Sequence, residues 1–305
     1  MKIVFMGTPE FSVPILKNLI EKHDVILVVT QPDKPVGRKR ILTPPPIKEV
    51  ALEHGIEVFQ PIKIRNEFQK ILDLKPDYLI TAAYGQILPR GLIENVNSVN
   101  IHASLLPAYR GGAPIQKSIM NLDKETGISI MKMEYKMDSG PVYYQEVIPI
   151  KDIDTTTTLT KKLSILGSEM ILKYLENPKK YPPVKQDETK VTFAYNITFS
   201  DQIIDWSESS NKIEAHIRAM QDEPGAITYI NNHILKIYDA RKSDIISNRP
   251  SGTITSLDKK ILVATGDYDL EILKLQPSGK KVMPTRDFLN GQNILKLYDK
   301  LGKEV

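Results

Sequence analysis

The sequence contains no cysteine. Disulfides, thiolate nucleophiles and cysteine-held metals are therefore excluded, and a reducing compartment fits. Glycine is scarce where a dinucleotide fold would need it. After the first apolar run, Gly7-Thr8-Pro9 supplies one of the three glycines of G-x-G-x-x-G, and Pro9 has no N–H to offer a phosphate. This reads against a nucleotide cofactor at that turn. No apolar run approaches the roughly 20 residues that span a bilayer. The opening MKIVFMGTPEF is too short and too soon interrupted for a secretion signal. A soluble cytoplasmic protein with no membrane partner is expected, and no apolar pattern demands a dimer, so a monomer is expected. Neither charge sign dominates: 41 Lys and Arg face 37 Asp and Glu, a net +4 that is too mild to argue for nucleic acid by itself.

What is present is a 305-residue chain, long enough for two domains. Its first half alternates short apolar runs with helical periodicity. Residues 2–6 read as a strand; Thr8, Pro9 and Glu10 read as a helix start, with Phe11, Ile15, Leu19 and Ile20 at helical spacing. Residues 25–30, 57–59, 77–82 and 97–102 read as further strands, with helices over 47–54 and 66–74 between them. Strands that alternate with helices imply an open, mostly parallel α/β sheet. From Gly127 two strands in succession look like a hairpin flanking Asp138. A long helix follows, capped by Asp154 or Thr155. Residues 177–188, NPKKYPPVKQDE, are rich in proline and charge and read as linker. After Trp206 come a helix over 209–220, several short strands and a final helix near 285–291, the pattern of a small β-barrel. The expected division is 1–180 as an α/β domain, 181–205 as linker and 206–305 as a C-terminal β domain.

The stretch NIHASLLPAYRGGAPIQ carries the sharpest signal. Side chains two apart in a strand share a face, so Asn100 and His102 point the same way at the carboxyl end of their strand, with Ile101 opposite. In open α/β sheets that edge binds ligands. A hydrogen-bonded structural histidine would explain His102 equally well. Asp138 in MDSG fits a plain turn; it also fits a carboxylate set beside His102 to hold its tautomer. Arg110-Gly111-Gly112 could position an anion, although arginine beside glycine usually marks a surface turn. In QPDKPVGRKRILTPPPIK, the basic residues Lys34, Arg38, Lys39, Arg40 and Lys48 face Asp33 alone, a surplus equal to the whole chain's net charge. The prolines forbid a helix across it, and a solvated mobile loop or a basic finger for a phosphate backbone would both fit.

Asn100-Ile-His102, Ser104-Leu-Leu-Pro107, Arg110-Gly111 with Pro114, and Asp138 in MDSG stand in the order and spacing of a known signature. FMGTPEFSVPIL, TQPDKPVGRKR, AYGQILP, SDQIIDWS, ATGDYDLEILKLQPSGKK and TRDFLNG extend the likeness over essentially the whole chain. The sequence resembles the folate-dependent formyltransferases. That resemblance implies a Rossmann-like formyltransferase fold with an OB-like C-terminal barrel. It implies transfer of the formyl group of 10-formyltetrahydrofolate to the α-amino group of methionine on initiator tRNA, with no metal. It implies catalysis by Asn100, His102 and Asp138, and a folate site lined by Ser104, Leu105, Leu106, Pro107, Ile87 and Leu88. It also implies tRNA contact by Arg38, Lys39, Arg40 and Lys34. The Pro44-Pro45-Pro46 run departs from the pattern and is expected to stiffen the loop's base; Pro141 departs too, with no role assigned.

The residue chemistry agrees. Formyl transfer builds charge on an oxygen, and one amide donor such as Asn100 is worth about 3–4 kcal/mol there. The attacking amine loses a proton and the leaving nitrogen gains one, which His102 can relay with Asp138 orienting it. Rival readings keep the folate and change the acceptor, to a nucleotide or nucleotide-sugar amine or to water, or make the chain a tRNA-binding module. The basic loop gives the first prediction. Arg38→Ala should raise KM for the tRNA several-fold and flatten its salt dependence, with folate affinity unchanged. Measuring both constants across a salt series checks this, and a loss of folate affinity instead would remove the loop assignment.

Overall fold

Ile3, Val4, Phe5 and Met6 are all fully buried, as the middle strand of a sheet covered on both faces must be. The computed structural model describes residues 1–37, 39–231, 233–291 and 294–302. It divides the chain into two compact units. The first holds Met1–Pro114, Glu125–Pro149 and Thr160–Tyr195; the second holds Ile115–Lys124, Ile150–Leu159 and Asn196–Val305.

In the first unit the strands are β1 (Lys2–Gly7), β2 (Asp24–Val29), β3 (Lys34–Val36), β4 (Ile41–Thr43), β5 (Val58–Phe59), β6 (Tyr78–Ala82), β7 (Asn97–His102), β8 (Glu125–Lys132) and β9 (Val142–Pro149). The main sheet runs β5-β2-β1-β6-β7-β8-β9. Pairs from β5 through β7 are parallel, and β7-β8 and β8-β9 are antiparallel. The expected mostly parallel α/β sheet is therefore the observed one. The order reverses between β1 and β6, so their following loops part there, as at a switch point. One helix start differs from the expectation. Residues Glu10–Ser12 form a 3-10 turn, and the α-helix runs Val13–Lys22, with proline in its first turn. Pro14 rather than Pro9 takes the early position, where a missing N–H costs nothing. The Thr8 hydroxyl instead donates to the Tyr84 carbonyl at 2.9 Å. Residues expected as one helix over 66–74 form two short ones, Ile64–Glu67 and Gln69–Asp73, with Phe68 between them.

The second unit carries the expected separate β domain. Its strands β10 (Ala226–Ile230), β11 (His233–Ile246), β12 (Ile254–Ser256), β13 (Ile261–Val263), β14 (Tyr268–Pro277) and β15 (Met283–Pro284) form an antiparallel sheet. β11 is longer than the short strands expected and bulges twice near Asp239, which bends a long strand so that one sheet can wrap its core. Trp206, Ile213, Ile217, Ile237 and Phe288 fill that core, and the Trp206 Nε1–H reaches Thr228 Oγ1 at 2.9 Å. Ser209 caps the helix Ser210–Met220 by accepting from the Lys212 N–H. Among the described residues, no helix is long and apolar enough to cross a membrane.

On that helix His216 donates from Nε2 to the Asp201 carbonyl at 2.8 Å. Burial pushes its pKa below the ordinary 6.5, with the Lys117 charge adding to the shift. The unfolded chain takes up this proton near 6.5 and the folded chain resists it. The contribution is therefore fully present above 6.5 and is lost as pH falls toward the lower folded value. Amide-exchange protection of Ser210–Met220 should decline as the medium is made mildly acidic. His216→Gln, which keeps a donor without the titration, should flatten that decline.

Candidate active site

The pairing of β7 decides where its polar side chains go. Asn100 stands beside Thr81 of β6 on the parallel side and Met131 of β8 on the antiparallel side; His102 pairs with Ser129. The Thr81 hydroxyl donates to Asn100 Oδ1 at 2.8 Å. That contact fixes which end of the amide is which, and leaves Nδ2 facing outward as a donor. Asn100 is half-buried and His102 is 6% exposed. His102 Nε2 lies 3.0 Å from the Tyr109 carbonyl oxygen. A carbonyl only accepts, so Nε2 carries the hydrogen and Nδ1 is the nitrogen free to take a proton.

Nδ1 faces Asp138. The carboxylate Oδ2 is 3.7 Å away, at ion-pair range and beyond hydrogen-bonding distance. The same oxygen accepts the Gly111 N–H at 2.8 Å, and Oδ1 accepts from Asn100 Nδ2 at 3.4 Å. Asp138 has φ +46°, a left-handed conformation that aspartate tolerates better than most residues. The β8-β9 hairpin brings it here, because its loop folds back over the face that carries Asn100. The three residues singled out from sequence thus converge on one carboxylate.

The other sequence-derived residues are placed as follows. Ser104 is fully buried, and its hydroxyl donates to the Ala108 carbonyl at 2.6 Å. Leu105 is half-buried. Leu106 is buried against Met131 and Val142, and with Pro107 it lines a cavity of about 320 Å³. Leu88 sits in the apolar cluster with Tyr84 and Leu92, while Ile87 is 76% exposed. A larger cavity of about 1290 Å³ has none of these residues in its wall. Arg90, Lys132, Lys136, Tyr78, Tyr143 and Tyr174 line it, along with Met133 and Tyr135 on the segment leading to Asp138. Burial raises the pKa of the three phenols, so they stay neutral. Lys34, Lys39 and Arg40 are exposed on the β3-β4 hairpin, whose base is held by Asp33 through Lys48 at 2.8 Å and Gln60 at 2.7 Å. Arg38 lies outside the described residues. Pro45 caps the helix Pro46–Glu53, so the last proline of the run begins a helix.

Sequence reasoning missed Thr81, Tyr109 and Gln186, and it misjudged Arg110. That side chain is 0% exposed, where a surface turn was expected. Its partners Gln186 and Glu188 lie 76 and 78 positions away, beyond any local pattern.

The family model described as formyl transferase matches residues 1–175, and the one described as formyl transferase, C-terminal domain, matches 196–293. The methionyl-tRNA formyltransferase of Bacillus mycoides (strain KBAB4) is 46% identical, with 100% of each chain covered. That of Bacillus subtilis (strain 168) is 45% identical, covering 96% of this chain and 95% of the relative. Among solved structures, the N-formyltransferase of Helicobacter canadensis in complex with folinic acid and dTDP-3-aminofucose superposes with a TM-score of 0.68. It is 19% identical and covers 91% of this chain and 99% of that one; at that identity the likeness speaks for the fold. The chain belongs to the formyl transferase family.

Gly140 closes the Asp138 loop, and a Cβ there would run into the Lys132 carbonyl oxygen. Backbone cannot yield as a flexible side chain can. Gly140→Ala should lower stability by about 1–3 kcal/mol, read as a shift of the urea midpoint at unchanged slope.

Proposed function

We propose that this protein transfers the formyl group of 10-formyltetrahydrofolate to the α-amino group of methionine carried on initiator tRNA. The observation that carries the reading is the meeting of Asn100, His102 and Asp138 on one carboxylate, in a chain nearly half identical to relatives named methionyl-tRNA formyltransferase. The folate supplies an activated formyl group and departs as tetrahydrofolate. Asn100 Nδ2 exchanges its long 3.4 Å contact with Asp138 for the oxygen on which negative charge builds. His102 Nδ1 takes the proton shed by the attacking amine, and the same nitrogen returns a proton to the departing folate nitrogen. Between these events the imidazolium is stabilised by Asp138 Oδ2 at 3.7 Å.

The catalytic domain is 1–180, joined by the connecting segment 181–205, whose 186–194 stretch packs on the loop after β7, to the tRNA-contacting β domain 206–305. Ser104 to Pro107 with Ile87 and Leu88 border the folate. The solved relative in complex with folinic acid shares this fold. Lys34, Arg38, Lys39 and Arg40 meet the acceptor stem, and exposed Ile41 and Leu42 beside them give the hairpin an apolar edge. The protein acts in the cytoplasm, where charged tRNA is found, and as a monomer.

The test is formyl transfer from 10-formyltetrahydrofolate with methionyl initiator tRNA, elongator tRNA, a nucleotide-sugar amine and water as acceptors. Transfer to the initiator alone supports the reading; formate release without transfer, or transfer to the sugar, replaces it. Asn100→Ala, His102→Ala and Asp138→Ala should each lower kcat by about a hundredfold or more, with circular dichroism unchanged. Near-normal turnover in any of the three removes that residue from the mechanism.

A further inference from the structure

Asp138 sits mid-loop in a left-handed conformation, and within its own segment Ser139 bonds the Lys136 carbonyl through both its N–H and its hydroxyl. The Asp138 backbone is gripped from a distant stretch. Gln186 Nε2 donates to the carbonyl oxygens of Asp138 at 2.8 Å and Gly140 at 2.7 Å. Gln186 is 7% exposed, so water does not substitute for these bonds readily. An amide can present either end, and here the choice is made by Arg110. Arginine only donates, and its Nε and Nη2 lie 3.0 and 2.8 Å from Gln186 Oε1. Oε1 must face Arg110, and the two amide hydrogens must face the loop. Arg110 is fully buried and is itself held by Glu188 Oε1 at 2.8 Å. Glu188 also reaches back to Lys136 of the same loop at 3.8 Å. The residue after Arg110 is Gly111, whose N–H binds the Asp138 carboxylate. Backbone and side chain of Asp138 are thus fixed from one origin.

We propose that Gln186, oriented by buried Arg110, is the positioning residue that holds the Asp138 carboxylate against Asn100 and His102. This rests on the functional reading above, since it takes Asp138 to be catalytic. Loop and relay all belong to the first unit.

Gln186→Glu is the informative change. It keeps the shape and the contact with Arg110, and removes both hydrogens from the loop carbonyls. The expected result is a kcat lower by about tenfold or more, with KM for folate and for the charged tRNA within about twofold. Placed on Asp138→Asn, the same change should cost nothing further in single-turnover rate, because the group it positions is already disabled. Losses that multiply would overturn the proposal, since Gln186 would then act apart from Asp138; so would an unchanged kcat in Gln186→Glu alone. A second measurement needs no activity. The Gly111 amide should be protected from hydrogen exchange in the parent protein and exchange at least about tenfold faster in Gln186→Glu, with β7 and β8 unchanged. Unaltered Gly111 protection overturns the proposal. If the parent protein transfers no formyl group, the functional reading fails, and the exchange result alone still decides what Gln186 does.

Discussion

The carboxylate of Asp138 is an acceptor with little access to water, and the first unit is arranged around satisfying it. A half-desolvated carboxylate needs donors, because burying it without them is costly. It finds them in the Gly111 amide and the Asn100 side chain, with His102 alongside. Asn100 and His102 come from the end of β7 and Gly111 from the loop after it, while Asp138 itself comes from the β8-β9 turn. Thr81 from β6 then fixes the amide that meets Asp138, and Tyr109 fixes the imidazole.

This meeting depends on a change of direction in the sheet. β7 is the last strand of the parallel set, and its next neighbour β8 runs antiparallel to it. Another parallel strand would need a long crossover, usually a helix, to return to the same end. An antiparallel pair needs only a hairpin, and a hairpin loop can fold directly over the face it borders. The parallel half gives β7 a buried, rigid seat; the antiparallel half supplies a loop able to reach Asn100 and His102. Rigid elements hold the amide and imidazole, and a loop under external restraint holds the carboxylate.

The proline-rich stretch after the long helix has more than a tethering part in this. From Gln186 to Ala194 it pairs with the loop that follows β7: Arg110 N–H donates to Thr192, and Ala194 N–H donates to Arg110. Gly111 has no Cβ to strike the Ala194 carbonyl and adopts φ +128°, a combination other residues rarely manage. The close approach that glycine permits is what lets one segment anchor the loop after β7 and the Asp138 loop together.

Much of this was written locally. Runs such as Ile3–Met6 and Leu79–Ile80 declare buried strands because nothing polar interrupts them. Asn100 and His102 share a face because strand side chains alternate. Asp138 announces a turn because aspartate before serine and glycine makes one. These are short-range properties, decided within a few residues by backbone sterics and hydrophobic period. Arg110 shows the other kind. Beside two glycines it has the local character of a surface turn, yet it is among the most buried side chains in the molecule, because its partners arrive from some 76 positions later. Thr81 is an ordinary strand threonine until β7 pairs beside it. Pro9 suits a helix start by its own chemistry, yet the α-helix begins at Val13 after a 3-10 turn. Sequence by itself determined which residues could make strands, turns and polar strand ends. Only the tertiary structure decided which of them meet, because hydrogen-bond partners are set by the path of the whole chain.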